Sequence, residues 1–551
     1  MEFKRTWISV LTVSSGAILL AALIPYSASG QNGGTSFQDV SQRIQFFTRA
    51  PEGDVSEGFG GAAWFDYNND GLLDLLVTDG QGHPNKLFRN NGDGTFTDVA
   101  AQAGVANGLG NQGVVAADID NDGCVDLFLT GEGAWAGHRG NRPAETPAKL
   151  YINNCDGTFT DITRSAGIPF PLHGGMAAFG DINRDGFLDL FVASPGNILL
   201  AIPTRNRLFL NKGNRTFTEI SASAGINTNL GACAVQFSDF DNDGWPDIFV
   251  ANCNGFDAPL TPIPTPFELF RNNHNLTFTN VATRAGLAPV PGNPSQGIGF
   301  WMAVTIGDFN RDGKLDLFAT NVGNNCCGAP PGLFRNNGDR TYTDVGSFTL
   351  PNEALLEFGW GASFADFDND GNEDIFYDGS LPLFGLIGPG IGSPGRYLRN
   401  NGNGTFSTAE EFGLADAYTT GMAVGDFNND GFPDVFVTVT DLGIPGQHSL
   451  LLKNVGNSNN WLTVKAVGIR SNRGAVGARV KLVSSDMTQI KEIYAGTGFL
   501  STNSPWVTFG MGNRQKANIE INWPSGLEEL FPDLSANQGV TLVEGKGIRL
   551  R

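Results

Sequence analysis

A chain of 551 residues with a formal charge of −21 is too long for one ordinary domain of roughly 100–200 residues. It is also too acidic for a nucleic-acid surface, which needs clustered Lys and Arg. Six cysteines (Cys124, Cys155, Cys233, Cys253, Cys326, Cys327) suit an oxidising compartment but are too sparse for a disulfide scaffold, so several domains or a repeat architecture remain.

Residues 1–30 open with Lys4 and Arg5, continue through an apolar stretch from Ile8 to Ile24 and end in small residues around Ser27, Ala28, Ser29 and Gly30. That order reads as a secretory signal peptide; the run is interrupted by Thr12, Ser14, Ser15 and Gly16 and falls short of the ~20 apolar residues of a span. No later segment is long and apolar enough to cross a bilayer.

From residue 31 to 456 the acid is concentrated in seven copies of Asp-x-(Asp/Asn)-x-Asp-Gly-x-x-Asp, whose first residues are 52, 63, 58, 69, 58 and 60 positions apart. Counting along each loop, positions one, three, five and nine are Asp66, Asn68, Asp70 and Asp74; Asp118, Asp120, Asp122 and Asp126; Asp181, Asn183, Asp185 and Asp189; Asp239, Asp241, Asp243 and Asp247; Asp308, Asn310, Asp312 and Asp316; Asp366, Asp368, Asp370 and Asp374; and Asp426, Asn428, Asp430 and Asp434. A small apolar stretch precedes each loop and a run such as LLVT or LFVA follows it, which predicts a hairpin. A second hairpin follows in the first six repeats, exemplified by KLFRNNGDGTFTDV from Lys86, with an Asn/Gly/Asp turn between strands. Two hairpins per repeat give a four-stranded blade, and seven blades give a propeller. The seventh repeat has SLLLKN at Ser449 but no outer strand of its own, whereas TSFQDV at Thr35 is an outer strand without a repeat. The expectation is that the N-terminus completes the last blade and closes the ring.

Packed carboxylates repel unless neutralised, and alternate oxygens around a glycine-kinked loop suit a hard divalent cation. Calcium is therefore expected in up to seven structural sites, with the position-seven carbonyl (Leu72 in the first loop) as a further ligand. An EF-hand needs Glu at position twelve, where this chain has Val77 and Leu129. Seven divalent ions would bring the formal charge from −21 to −7, so much of the acidity is accounted for by metal. The four-carboxylate loops are expected to bind more tightly.

The Asp loops with their GTFTDV segments resemble the FG-GAP or VCBS-type repeats of integrin-α-like propellers. Residues 457–551, with NSNNWLTVKAVG, SNRGAVGARVKL, YAGTGFLS and INWPSG, are similar to the ASPIC/UnbV domain of cartilage acidic protein-like proteins. The resemblance implies calcium on one propeller face, and extracellular or cell-surface recognition of a protein or glycan. Alternating strands at 461–469, 476–483 and 517–523 suggest that the C-terminal part is a small β-sandwich. The fold class is thus all-β.

Blade topology puts the Asp loops and NNGDGT turns on one face and the long Gly/Pro/aromatic connections on the other. A ligand surface at Trp135, Phe256, Trp301, Trp360 and Phe384 is expected there. Cys233 and Cys253 lie ten residues either side of Asp243 and are candidates for a disulfide, as are Cys124 and Cys155 in two loops of one blade. The five histidines (His83, His138, His173, His274, His448) fall in no metal-ligand or nucleophile spacing, so a non-catalytic role is expected. The alternative is a calcium-assisted polysaccharide lyase or hydrolase built on the propeller.

Overall fold

A computed structural model describes residues 37–44, 48–49, 60–79, 84–131, 147–169, 175–195, 205–228, 230–253, 256–257, 261–262, 265–288, 298–321, 330–357, 359–379, 393–414, 417–441 and 448–550. The signal peptide, Trp135, Phe384, Cys326, Cys327, His83, His138 and His173 lie outside the described residues. Among the described residues no helix is long and apolar enough to cross a membrane.

Strand pairing follows the repeats. Blade 1 is Ala62–Phe65, Asp74–Val77, Lys86–Asn90 and Phe96–Asp98, each antiparallel to the next. Five more four-stranded antiparallel sheets repeat this order, with inner strands Asn111–Ala117, Ala177–Gly180, Ala232–Ser238, Trp301–Gly307 and Ala362–Ala365. In the seventh, Tyr418–Gly425, Asp434–Asp441 and Leu450–Asn454 are joined by Phe37–Asp39, with Phe37 opposite Asn454 and Asp39 opposite Leu452. The inner strands touch their neighbours in chain order, and the seventh touches the first. That closed ring is a β-propeller, completed by the N-terminal strand as expected.

The composition of the strands explains the ring. Inner strands converge on an axis, so they are built from Ala, Gly and Val, as in NQGVVAA and ACAVQFS, and are almost wholly buried. Second strands such as DLLV and DLFV are buried on both faces between neighbouring blades. Phe37 fixes the closure by meeting Phe367, Phe376, Tyr397 and Phe412 edge-on, with ring centroids 5.6–6.0 Å apart.

Residues after 457 form two further sheets. One has three strands, Val507–Gly512, Asn460–Val467 and Gln538–Val543; the other is built around Arg479–Val483 and Lys516–Asn522. Leu462, Val464, Val480, Ile519 and Phe509 fill the space between them, so this part is a small β-sandwich. It stands on the propeller face that carries the Asp loops, and residues 494–504 descend from it into the central channel. There the Trp64, Val114 and Phe179 amides donate to the Thr502, Leu500 and Ala495 carbonyls at 3.2, 3.1 and 2.9 Å. Phe499 and Leu500 are buried, and Phe499 stacks on Trp360 at 5.2 Å. The plug needs its glycines and those of the wall. Gly496 has φ +99 with a Cβ position 2.6 Å from the Ala177 carbonyl, and any side chain at Gly61 would overlap the Leu500 carbonyl.

Candidate metal centre

Each Asp loop is a sharp turn whose fourth residue is left-handed, with φ between 55° and 63° from Asn69 to Asn429, and whose sixth is a positive-φ glycine. The carboxylate at position one holds this turn by accepting the glycine amide in all seven loops, at 2.7–3.0 Å. In the first loop the Asp66 carboxylate accepts both Asp70 and Gly71 amides, and Asp70 accepts that of Leu72. These bonds leave the carboxylates aimed into the loop.

Position nine is the first residue of the second strand and is buried in every blade: Asp74, Asp126, Asp189, Asp247, Asp316, Asp374 and Asp434 are at most 1% exposed. Burial pushes Asp74 up to about 7, Asp126 to about 8 and Asp316 to about 9, and holds the other four well above the usual carboxylate range. Burial also raises Asp118 and Asp181, at position one, to about 6. Carboxylate oxygens of Asp118, Asp241 and Asp316 are buried without a hydrogen-bond partner. In three loops the acids converge, with one oxygen from each of Asp118, Asp120 and Asp122, of Asp239, Asp241 and Asp247, and of Asp366, Asp368 and Asp374 lying within 4.8 Å of one another. An all-oxygen donor set that is desolvated and partly orphaned fits a hard divalent cation.

The loops differ in a way composition did not reveal. The extra Asp at position three is paired with arginine: Arg215 with Asp120 at 2.5 Å, Arg271 and Arg340 with Asp241 at 2.7 and 3.0 Å, and Arg399 with Asp368 at 2.6 Å. Where position three is Asn68, Asn183 or Asn428, its amide donates to the position-five carboxylate instead. The four-carboxylate loops therefore carry less unbalanced charge than their sequence suggests.

The sequence reading passed over the asparagine that ends each third strand: Asn90, Asn153, Asn211, Asn272, Asn336, Asn400 and Asn454. Its backbone amide donates to the position-nine carboxylate at 2.7–2.8 Å. Its side-chain amide donates to the position-two carbonyl of the preceding blade's loop at 2.7–3.2 Å, with Asn90 reaching Phe427 to complete the circle. The signal was present in the repeated N of LFRN and LYIN.

The remaining candidates fall as follows. Cys124 is bonded to Cys155 and Cys233 to Cys253, each with Cα atoms 5.6 Å apart. Cys124 is position seven of the second loop, so that bridge ties a loop to the neighbouring turn. Trp301 and Trp360 are only 2% and 1% exposed, against the expectation of a ligand surface. Trp301 stacks on Phe267 at 4.4 Å and Trp360 on the plug, so both fill space where strands meet. Phe256 sits in a short strand pairing with Thr261–Pro262. His274 stacks on Trp245 and lies 3.0 Å from Asp243.

The C-terminal domain covers this same face. The Arg473 amide donates to Asn121 at 2.7 Å, Arg184 donates to the Pro524 carbonyl at 2.8 Å, and Arg479 reaches the Asp239 carbonyl at 2.7 Å. Asn457 and Asn459 both donate to the Asp368 carbonyl, and Trp461 lies against Gly431. SNRGAVGAR and INWPSG thus supply contacts to the loops as well as turns.

A family model described as FG-GAP-like repeat matches residues 66–129, 135–192, 181–250, 322–377 and 378–437, more than half of the chain. The chain belongs to the FG-GAP-like repeat family. A second model, ASPIC and UnbV, matches residues 468–549 of this FG-GAP chain. It is 27% identical over 497 residues to cartilage acidic protein 1 of Xenopus tropicalis, covering 85% of this chain and 70% of that one. It is 26% identical over 504 residues to the Homo sapiens protein of the same name, covering 85% and 69%. Among solved structures, an exotype rhamnogalacturonan lyase aligns with 13% identity over 90% of this chain and 87% of that one, with a TM-score of 0.34.

Proposed function

We propose that this FG-GAP chain is a secreted, calcium-binding protein that acts by recognising a protein or glycan outside the cell or at its surface, without catalysis. The observation that carries the reading is the sevenfold repetition of a buried position-nine carboxylate facing a position-one carboxylate across a glycine turn. Buried charge on this scale is tolerated when paired or bound to metal. In each loop the side chains at positions one, three, five and nine and the position-seven carbonyl are the ligands, and the ion neutralises charge that otherwise opposes folding. Secretion is supported by the character of residues 1–30 and by two disulfides, which persist in oxidising compartments. Kinship to cartilage acidic protein 1 supports recognition over catalysis.

Thermal unfolding with calcium and after EGTA, with elemental analysis for bound metal, tests the reading. Several calcium ions per chain and a large fall in Tm on chelation are expected, because a ligand bound only by the folded state stabilises it by mass action. Absence of bound calcium with an unchanged Tm would overturn it.

A further inference from the structure

Between the C-terminal domain and the Asp-loop face lies a cavity of about 480 Å³, a volume typical of small-molecule sites and at a domain junction, where such sites concentrate. One wall is the outward face of the three-stranded sheet, where Thr463 stands beside Thr508 and Gly539, and Lys465 beside Thr541. The other is formed by blades 5, 6, 7 and 1, including Thr305, Asp366, Asp426 and Gly71. Trp461 and Trp506 line it, and Tyr494 closes its inner end.

We propose that this interdomain cavity binds a neutral, polyhydroxylated ligand: a mono- or disaccharide unit of an uncharged glycan. The charges of the lining decide the class, because its cations are paired within the chain and its loop carboxylates are ligands of the proposed calcium ions. Lys491 pairs with Glu373 at 2.9 Å and Arg479 with Glu492 at 3.4 Å. Lys465 lies 3.7 Å from Asp66 and 5.0 Å from the centre of the Trp506 ring. Asp426 and Asp366 accept the amides of their own loops. An anionic ligand would meet no free cation, and a cationic one would have to compete with calcium for Asp426 and Asp366. What remains for a ligand is indole surface, the hydroxyl pair of Thr463 and Thr508, 2.9 Å apart, and the exposed Thr541 hydroxyl. Aromatic faces for C–H surface and neutral hydroxyls for hydroxyls are the complement of an uncharged sugar.

The inference deepens the recognition reading and rests on it. Its test therefore starts from full chain whose calcium content and Tm have been measured. Saturation-transfer NMR and calorimetry with glucose, N-acetylglucosamine, cellobiose and lactose, against glucuronate and glucosamine, read the binding. Gly539 lines the cavity and a Cβ there meets nothing within 4 Å, so Gly539→Trp is a variant that introduces bulk at the lining. Thr541→Arg is a second block on the neighbouring register pair. At least one neutral sugar is expected to bind at millimolar or better, with glucuronate and glucosamine weaker, and both variants should lose tenfold or more while keeping the parent Tm. No binding by any neutral sugar, tighter binding of a charged one, or binding indifferent to both variants would overturn the proposal. A chain without calcium that still shows this pattern would sink the calcium reading and leave the cavity standing.

Discussion

Asn211 illustrates how a single side chain serves two blades. Its backbone amide is held by Asp189, and its side-chain amide donates to the Leu188 carbonyl in its own blade and to the Ile119 carbonyl of the blade before it, at 3.1 and 3.0 Å. Replacing it by Ala leaves two buried carbonyls unpaired, so Asn211→Ala should cost about 2–4 kcal/mol in chemical denaturation even with metal removed. A loss confined to calcium-loaded protein would mean that the asparagine acts only through the ion. Asp378 makes a different point. It is buried away from the loops, accepts the Trp360 and Gly361 amides at 2.8 and 2.9 Å, and burial raises it to about 8. A raised folded value contributes stability that is complete below the ordinary carboxylate pKa near ~4 and is lost as pH rises through about 8. Asp378→Asn keeps the acceptor and removes the charge. Denaturation at pH 5 and pH 9, in calcium, should show the variant losing less stability over that range than the parent.

Among the elements, the N-terminal strand has the largest effect for its length. Phe37–Asp39 is three residues, yet Phe37 is 5% exposed inside a cluster of four other aromatic rings. Phe37→Ala is expected to cost about 3–5 kcal/mol, read from denaturant midpoints. A cost below about 1 kcal/mol would mean that closure depends on the backbone ladder alone. This strand was legible in the sequence because a missing outer strand at Ser449 and an extra one at Thr35 are complementary gaps in one repeat. The Asp loops were legible as turns for the same reason, since all seven copies share one internal spacing and each folds as a glycine turn with a buried carboxylate at position nine. Trp301 and Trp360 were not, because an aromatic at the entrance to an inner strand has the same local sequence whether it faces solvent or a neighbouring element. What buries Trp360 is Phe499, 139 positions later, and no window of sequence shows that pairing.

At the scale of the molecule, the sandwich and the propeller could each be read from alternation and repeat, but their mutual arrangement could not. YAGTGFLS reads locally as a glycine-rich turn; only the narrow channel lined by Ala62, Ala177 and Ala362 gives its glycines a reason. The calcium readings at loop and ring scale meet here, because the face expected to hold the ions is also the floor on which the second domain stands. The plug has a consequence for how the chain is made. Synthesis delivers the N-terminal strand first and its partner Leu450–Asn454 more than 400 residues later, so the ring has no closing pair until both are made. Residues 494–504 arrive later still, after both closing strands. Non-local pairings of this kind are slow to form and exposed to misassembly. Residues 494–504, made after both closing strands, fill the axis from the loop face, so the C-terminal domain acts as a keystone set into an arch that the Phe37–Asp39 strand completes.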